Sequence, residues 1–144
     1  MERYHTHCLR RGRVSLAGHC YLITIVTERR QPWFGEYTNA AHACRSFYAD
    51  SVRTHGDTLA FVVMPDHVHW LLQVEGRLSE AVRIYKARVS LALGVKPWQR
   101  GFHDHGLRRE EELRAVARYM VANPLRAGLV DNVLDYPYWD AAWL

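Results

Sequence analysis

Long apolar runs are missing from this chain of 144 residues, and cysteine is scarce. No stretch approaches the roughly 20 apolar residues that a transmembrane helix needs, so we expect no membrane association. The polar start of the chain, with an acid at Glu2, does not fit a secretory signal peptide, and the expected location is the cytoplasm. Three cysteines without C-x-x-C spacing argue against a disulfide framework and a cysteine zinc site, and we expect ordinary small apolar residues.

Lysine is almost absent from a chain that is nevertheless basic. The formal net charge is +4, and all of the nineteen basic residues except Lys86 and Lys96 are arginine. The planar guanidinium group offers paired donors that suit phosphate, so this bias favours nucleic acid as a partner. A solvated arginine-rich surface without any partner would have the same composition.

The chain shows no internal repeat, low-complexity segment or flexible linker, which predicts one domain over residues 1–144. The apolar patterns alternate between strand and helix periods. Strands are expected at 19–27, 59–64, 67–74 and 98–103, and helices at 38–54, 79–93 (with Ser79 as N-cap) and 110–122. The order β-α-β-β-α-β-α is typical of an α+β fold, an antiparallel sheet with helices packed on it, of the split βαβ or ferredoxin-like kind.

Two histidines stand at the start of the third predicted strand, in the sequence Pro65-Asp-His-Val-His-Trp70. Because side chains alternate along a strand, His67 and His69 face the same way, while Val68 and Trp70 face the other, apolar side. Two imidazoles at this spacing can hold one metal ion. The pattern therefore predicts a metal site.

A tyrosine and an asparagine in the last predicted helix could complete this site. Tyr119 and Asn123 are four residues apart, so one helical turn separates them on the same face. A carboxamide oxygen can bind a hard cation, and a phenol can act as a nucleophile. A core tyrosine and an asparagine that caps a helix before Pro124 would give the same pattern.

Several motifs taken together resemble one known family. They are Val63-Met-Pro-Asp-His-Val-His69, Trp98-Gln99, His103-Asp-His-Gly-Leu-Arg108 and Tyr119-Met-Val-Ala-Asn-Pro-Leu-Arg-Ala-Gly-Leu-Val130, preceded by a stretch from Arg13 to Gly18 that resembles the approach to the family's opening strand. The combination is similar to the REP-associated tyrosine transposases, which are single-tyrosine HUH nucleases related to small insertion-sequence transposases. H-x-H alone is weak evidence, but P-D-H-x-H with Y-x-x-x-N-P in one small chain is specific.

The resemblance implies the HUH nuclease fold and the roles of particular residues. By this resemblance Tyr119 is the catalytic nucleophile, His67, His69 and Asn123 bind Mg²⁺ or Mn²⁺, and Lys86 and Arg108 contact DNA. The implied activity is a metal-dependent single-stranded DNA endonuclease and strand transferase, which acts on palindromic hairpin DNA through a covalent 5′-phosphotyrosine. Such a protein would work in the cytoplasm at the nucleoid, as a monomer or a homodimer. Insertion-sequence relatives more often carry Gln at the Asn123 position, so the asparagine points to the REP-associated branch.

Two other functions fit the same residues. A metal-dependent hydrolase could combine His67 and His69 with His103 and His105, and it would not need Tyr119. A protein that recognises hairpin DNA without cutting it would retain every residue of the motif.

Overall fold

A five-stranded antiparallel sheet forms the centre of the computed structural model, which describes residues 19–143. The strands are β1 (Cys20–Val26), β2 (Gly56–Met64), β3 (His67–Val74), β4 (His103–Leu107) and β5 (Trp139–Ala141). Their order across the sheet is β4-β1-β3-β2-β5. Because β3 lies between β1 and β2, and β1 lies between β3 and β4, both crossovers are split βαβ units. The predicted α+β, ferredoxin-like fold is confirmed.

Helices cover both faces of this sheet. They are α1 (Tyr37–Ser46), α2 (Asp50–Arg53), α3 (Leu78–Leu93), α4 (Glu110–Val121) and α5 (Asn123–Arg126). Residues from α1, α2 and α3 share one buried cluster with one sheet face, whereas α4 contributes to a second cluster on the other face. Within residues 19–143, no helix is both long and apolar enough to cross a bilayer.

An aromatic cluster holds α1 and α3 against the first face. The ring of Phe47 stacks on Phe61 of β2 and on Tyr85 of α3, with centroids 4.4 and 4.2 Å apart. Trp70 of β3 meets the Phe47 ring edge-on, and the buried Tyr85 hydroxyl donates to the carbonyl oxygen of Ala43 at 3.0 Å. These contacts satisfy the one polar atom of Tyr85 and fix the strand that carries the two histidines.

The second face of the sheet is covered by the apolar side of α4. Leu113, Ala117 and Met120 are buried there in one cluster with Leu71 of β3 and Val62 of β2. The central strand β3 is thus buried on both faces, and only its first residues, where the histidines lie, are partly open to solvent.

Four predicted boundaries are wrong, and the first is the start of β2, which lies at Gly56 instead of residue 59. The helix expected at 38–54 is two helices, because Ala49 has an extended backbone (φ −62, ψ 140) and caps α2. The strand expected at 98–103 begins only at His103. Trp98 makes only an isolated bridge to Thr27. Gly101 has a left-handed backbone (φ +75), so residues 98–102 do not continue into β4 as one strand. Helix α3 begins at Leu78 with Arg77 as its N-cap, so Ser79 lies inside the helix.

Two further features differ from expectation or were not predicted. Cys20 is disulfide-bonded, whereas Cys44 is free, so the three cysteines are not all ordinary unpaired residues. The short strand β5 near the end of the chain pairs with β2 at the sheet edge. The stretch from Arg13 to Gly18 lies outside the described residues, and one domain over 1–144 stays a prediction.

Candidate active site

The two histidine rings lie side by side at the start of β3. Their centroids are 4.8 Å apart and their planes are inclined by 76°. The register of the sheet pairs His69 with Thr24 of β1 and His67 with Val26. Neighbouring side chains on one face of adjacent strands can interact directly, and Thr24 does so here.

Each ring is fixed through its Nδ1 atom. The Nδ1 of His67 lies 2.7 Å from Oδ1 of Asp66, and the Nδ1 of His69 lies 2.9 Å from Oγ1 of Thr24. A carboxylate can only accept, so Nδ1 of His67 is the donor and its Nε2 carries the free lone pair. Among the hydrogen bonds of residues 19–143, neither Nε2 takes part. This is the arrangement in which a carboxylate or hydroxyl orients an imidazole for metal binding.

The carboxylate of Asp66 is shared with an arginine from the loop after β1. Nε of Arg30 donates to Oδ2 of Asp66 at 3.0 Å. Although burial raises the pKa of Asp66, the hydrogen bond and charge of His67, together with Arg30, lower it below its ordinary value. Arg29 and Arg30 both have left-handed φ values of 55° and 56°. This conformation costs about 1–2 kcal/mol per residue, and the ion pair with Asp66 offsets part of the cost.

The environment of His69 is positively charged. Burial first, and then the charges of His67, Arg126 and Arg30, lower the pKa of His69 to about 4. The ring is therefore neutral at physiological pH, which is the form that binds a metal. The same surrounding cations favour an anion such as a phosphate in front of the two rings.

Tyr119 reaches this site through Arg126. The Cζ atom of Arg126 lies 3.6 Å above the centre of the Tyr119 ring, within cation–π distance. The charge of the same arginine also lowers the pKa of His69, so Arg126 acts on both the phenol ring and one of the two histidines. Tyr119 is 66% exposed, so the residue is accessible to an incoming ligand. Asn123 is partly buried at the start of α5, between the tyrosine and the arginine in the chain.

The histidines of β4 do not join the pair. His103 is paired with Thr24, which in turn is paired with His69, so roughly 10 Å, or two strand spacings, separates their backbones. His105 lies still further along β4. Within residues 19–143, no group of three or more His, Cys, Asp or Glu side chains could hold a metal ion. The geometry contradicts the hydrolase with a four-histidine site.

Lys86 and Arg108 are not brought to the histidine pair. Lys86 lies on α3, across the sheet, and its Nζ donates to the carbonyl oxygens of Gln99 and Gly101 at 2.9 and 3.1 Å. Arg108 is exposed just beyond Leu107, roughly 16 Å along the chain direction of β4 from the strand end at His103. Their expected contact with DNA therefore stays a prediction.

Sequence reasoning missed the residues that support the site. Arg126 is part of the quoted Tyr119 motif. Its spacing of about one helical turn from Asn123 could have identified it. Asp66 directly precedes His67 and could have been inferred from the carboxylate–histidine pattern. Thr24 could not be found from sequence spacing, since only the register of β1 against β3 places it beside His69.

Comparisons with known proteins agree with this fold. No family model matches the chain. It is 28% identical to a protein named as a REP-associated tyrosine transposase from Haemophilus influenzae, over 84% of this chain and 78% of the relative. It is 34% identical to the REP-associated tyrosine transposase of Escherichia coli K12, over 55% of this chain and 50% of the relative.

A solved structure extends the similarity to three dimensions. It is a REP-associated tyrosine transposase bound to a REP hairpin, and it matches with a TM-score of 0.71 and 26% identity over 85% of this chain and 76% of that one. The fold and the relatives support a transposase of the tyrosine class. In sequence and in fold the chain is similar to the REP-associated tyrosine transposases, and the resemblance read from the motifs is confirmed.

Replacing Thr24 by Val tests the support of His69. The change keeps the shape of the side chain but leaves Nδ1 of the partly buried ring without its partner, so the free energy of unfolding should fall by about 1–2 kcal/mol in urea titrations. Thr54→Val is the matched control, because Thr54 Oγ1 donates to the Ser51 carbonyl oxygen at an exposed position. We expect the control to change stability by less than about 0.5 kcal/mol. Equal losses in the two variants would contradict a specific role for Thr24.

Proposed function

We propose that this protein is a divalent-metal-dependent single-stranded DNA endonuclease and strand transferase that uses Tyr119 as its nucleophile. One observation carries the proposal. Arg126 contacts the Tyr119 ring at 3.6 Å, and its charge acts on His69, which supports a tyrosine nucleophile that works together with the histidine pair. A structural tyrosine would not need this arrangement, and Tyr119 is exposed rather than buried in the core.

The donor set suits Mg²⁺ or Mn²⁺. His67 and His69 are each held at Nδ1 and offer Nε2 on the same side of the sheet. The side-chain oxygen of Asn123 would add a hard ligand of the kind that these ions prefer. When bound, the ion would act as a Lewis acid that polarises a phosphoryl oxygen of the scissile group.

Tyr119 would carry the covalent chemistry. Its phenol oxygen would attack the phosphorus and lose its proton, the bond from phosphorus to the 3′ oxygen would break, and the leaving 3′ oxygen would gain a proton to become a 3′-hydroxyl. The product is a 5′-phosphotyrosine, which retains the ester bond and can be rejoined to another 3′ end. A phenol is mostly protonated at neutral pH, so a fixed in-line position matters more than its intrinsic reactivity.

Arginines would provide orientation and charge. Arg126 covers the tyrosine ring and limits its rotation, while its guanidinium group stays close to the place where the phosphate would lie. Arg30 adds a second cation at the opposite side of the pair through Asp66. Fixed cations around a phosphate stabilise the negative charge that develops as the bond breaks.

The substrate that we propose is palindromic hairpin DNA of the REP type. The structural neighbour is bound to a REP hairpin, and it shares the fold with 26% identity over most of this chain. The arginine-rich composition also suits a phosphate backbone. A DNA transposase would act in the cytoplasm at the nucleoid. A hairpin-binding protein without cleavage is the second candidate, and the experiment below separates the two.

Replacing Tyr119 by Phe should abolish covalent attachment to DNA. The purified protein is incubated with Mg²⁺ or Mn²⁺ and with single-stranded hairpin oligonucleotides copied from the DNA that flanks its own gene, and adducts are resolved on a denaturing gel. We expect an adduct with the parent protein and none with Tyr119→Phe, because the variant lacks the attacking oxygen. Tyr37→Phe is the matched control: this tyrosine is 71% exposed on α1 and should form adducts normally.

The outcomes separate the candidates. An adduct that persists in Tyr119→Phe would show that another residue is the nucleophile. Hairpin binding without any adduct, with each metal and each flanking hairpin, would favour the protein that binds without cutting.

Replacing Asp66 by Asn should weaken metal binding. The amide oxygen can still accept a hydrogen bond from Nδ1 of His67, but the amide lacks the negative charge that favours the His67 tautomer with its proton on Nδ1. The affinity for Mn²⁺ should therefore fall about ten-fold or more in calorimetric titration. Asp104→Asn is the control, because Asp104 is exposed and its register partner is Ile23, whereas the register partner of His69 is Thr24. Unchanged affinity in Asp66→Asn would contradict the proposed metal site.

A further inference from the structure

A second pair of histidines lies on strand β4, outside the candidate active site. His103 and His105 are two residues apart in this strand, which is also the spacing of His67 and His69 in β3. Because side chains alternate along a strand, the two rings of β4 project from one face of the sheet and Asp104 projects from the other. The pair on β3 shows how close two rings at this spacing can come, since their centroids are 4.8 Å apart.

The pairing of β4 with β1 shows which face the second pair occupies. The register partner of His103 is Thr24, whose Oγ1 lies 2.9 Å from Nδ1 of His69. Residues directly opposed in antiparallel strands share a face, so His103 and His69 lie on the same side of the sheet. Leu107, two residues beyond His105, is buried in the cluster that includes residues of α4. Both observations place the second pair on the face that α4 covers.

Each pair would hold an ion by itself. Strand β1 lies between β3 and β4, so Thr24 stands between the two pairs. Among residues 19–143, no three side chains of His, Cys, Asp or Glu come together around one ion. A metal ion on β4 would therefore take two ligands from the described part of the chain, and water would supply the others.

Both rings of the second pair are accessible. His103 and His105 are exposed, and within residues 19–143 β4 is the last strand of the sheet, with a neighbour on one side only. No hydrogen bond between described residues involves either ring. In the first pair, by contrast, Asp66 and Thr24 each hold one Nδ1 atom. The rings on β4 can therefore turn toward a common ion, and either nitrogen can be the ligand.

The donor atoms of the second pair favour a transition-metal ion. Imidazole nitrogen suits Zn²⁺, Cu²⁺ and Ni²⁺, whereas Mg²⁺ prefers oxygen ligands. The first pair has the carboxamide of Asn123 as its expected oxygen ligand. The second pair has none from its own strand, because the residues of β4 on this face are His103, His105 and Leu107. The two pairs thus differ in the class of ion that they suit.

We propose that His103 and His105 form a second metal site, which binds a transition-metal ion such as Zn²⁺ through one nitrogen of each ring. The remaining positions of the tetrahedral ion stay open to water or to an anionic ligand. No carboxylate orients these rings from behind, so the ion is held less firmly than in a site with such support. The inference goes beyond the proposed function, because it needs neither Tyr119 nor an ion at the first pair.

Nuclear magnetic resonance of the histidine side chains observes this site directly. Protein that is isotope-labelled at its histidine ring nitrogens is titrated with Zn²⁺, and the signals are assigned by single substitutions to Gln. The signals of His103 and His105 should move together and follow one saturation curve. Mg²⁺ at a roughly 100-fold higher concentration should move neither signal, because imidazole is a poor ligand for this ion. His42 is the reference ring: it lies against Arg45 and has no histidine two residues away.

Substitutions on β4 test whether the two rings act as one site. In His103→Gln and in His105→Gln, the affinity of the remaining ring for Zn²⁺ should fall about ten-fold or more, since loss of an outer-shell partner alone typically costs about 10–100-fold. Asp104→Asn is the matched control, because it changes a charge between the two rings but on the other face. It should alter the affinity by less than about two-fold.

A further variant accounts for another H-x-H pair in the sequence, His5 and His7. Replacing both by Gln should leave the affinity of the β4 pair for Zn²⁺ unchanged, and loss of binding in this variant would contradict a site made by His103 and His105 alone. Movement of only one β4 signal, separate saturation curves for the two, or no movement at all would overturn the site. These readouts involve no DNA, so they stand whether or not an adduct forms at Tyr119.

Discussion

The antiparallel pairing of β1 with β3 is the constraint on which the site depends. Its register sets Thr24 against His69 and Val26 against His67, and the turn before β3 places Asp66 within reach of both His67 and Arg30. A shift of one residue would turn both histidines to the opposite face of the sheet. That shift is opposed by burial on both sides of β3, where Trp70 faces the aromatic cluster and Leu71 faces α4.

This scaffold leaves the histidines at the one end of β3 that α4 does not fully cover. The rings are partly buried, so Thr24 and Asp66 can fix them, yet their Nε2 atoms are unused by the described residues. Helix α4 ends at Val121, and the short α5 that follows brings Arg126 back over Tyr119. Tyr119 and the histidines thus come from different elements, and Arg126, which contacts the Tyr119 ring, also acts on His69 through its charge.

Much of this arrangement was accessible from the sequence because it depends on local periodicity. The alternation of side chains placed His67 and His69 on one face without any knowledge of the fold. Asn123 begins α5, after α4 has ended at Val121, so its expected place one helical turn from Tyr119 stays a prediction. The features that were missed depend on contacts between distant segments. Thr24 is 45 residues from His69 in the chain. Helix α1 ends at Ser46 although no helix-breaking residue follows. The next residue is Phe47, whose ring stacks on both Phe61 and Tyr85, and sequence periodicity does not reveal these contacts.

The site of covalent attachment is the most direct test of the central claim. The protein is allowed to react with a flank-derived hairpin and Mn²⁺, the DNA is trimmed with nuclease, and the tryptic peptides are sequenced by tandem mass spectrometry. A nucleotide 5′-phosphate linked to Tyr119 is the predicted result. A nucleotide on any other side chain, from an active preparation, would contradict the assignment of this tyrosine and the site built around it.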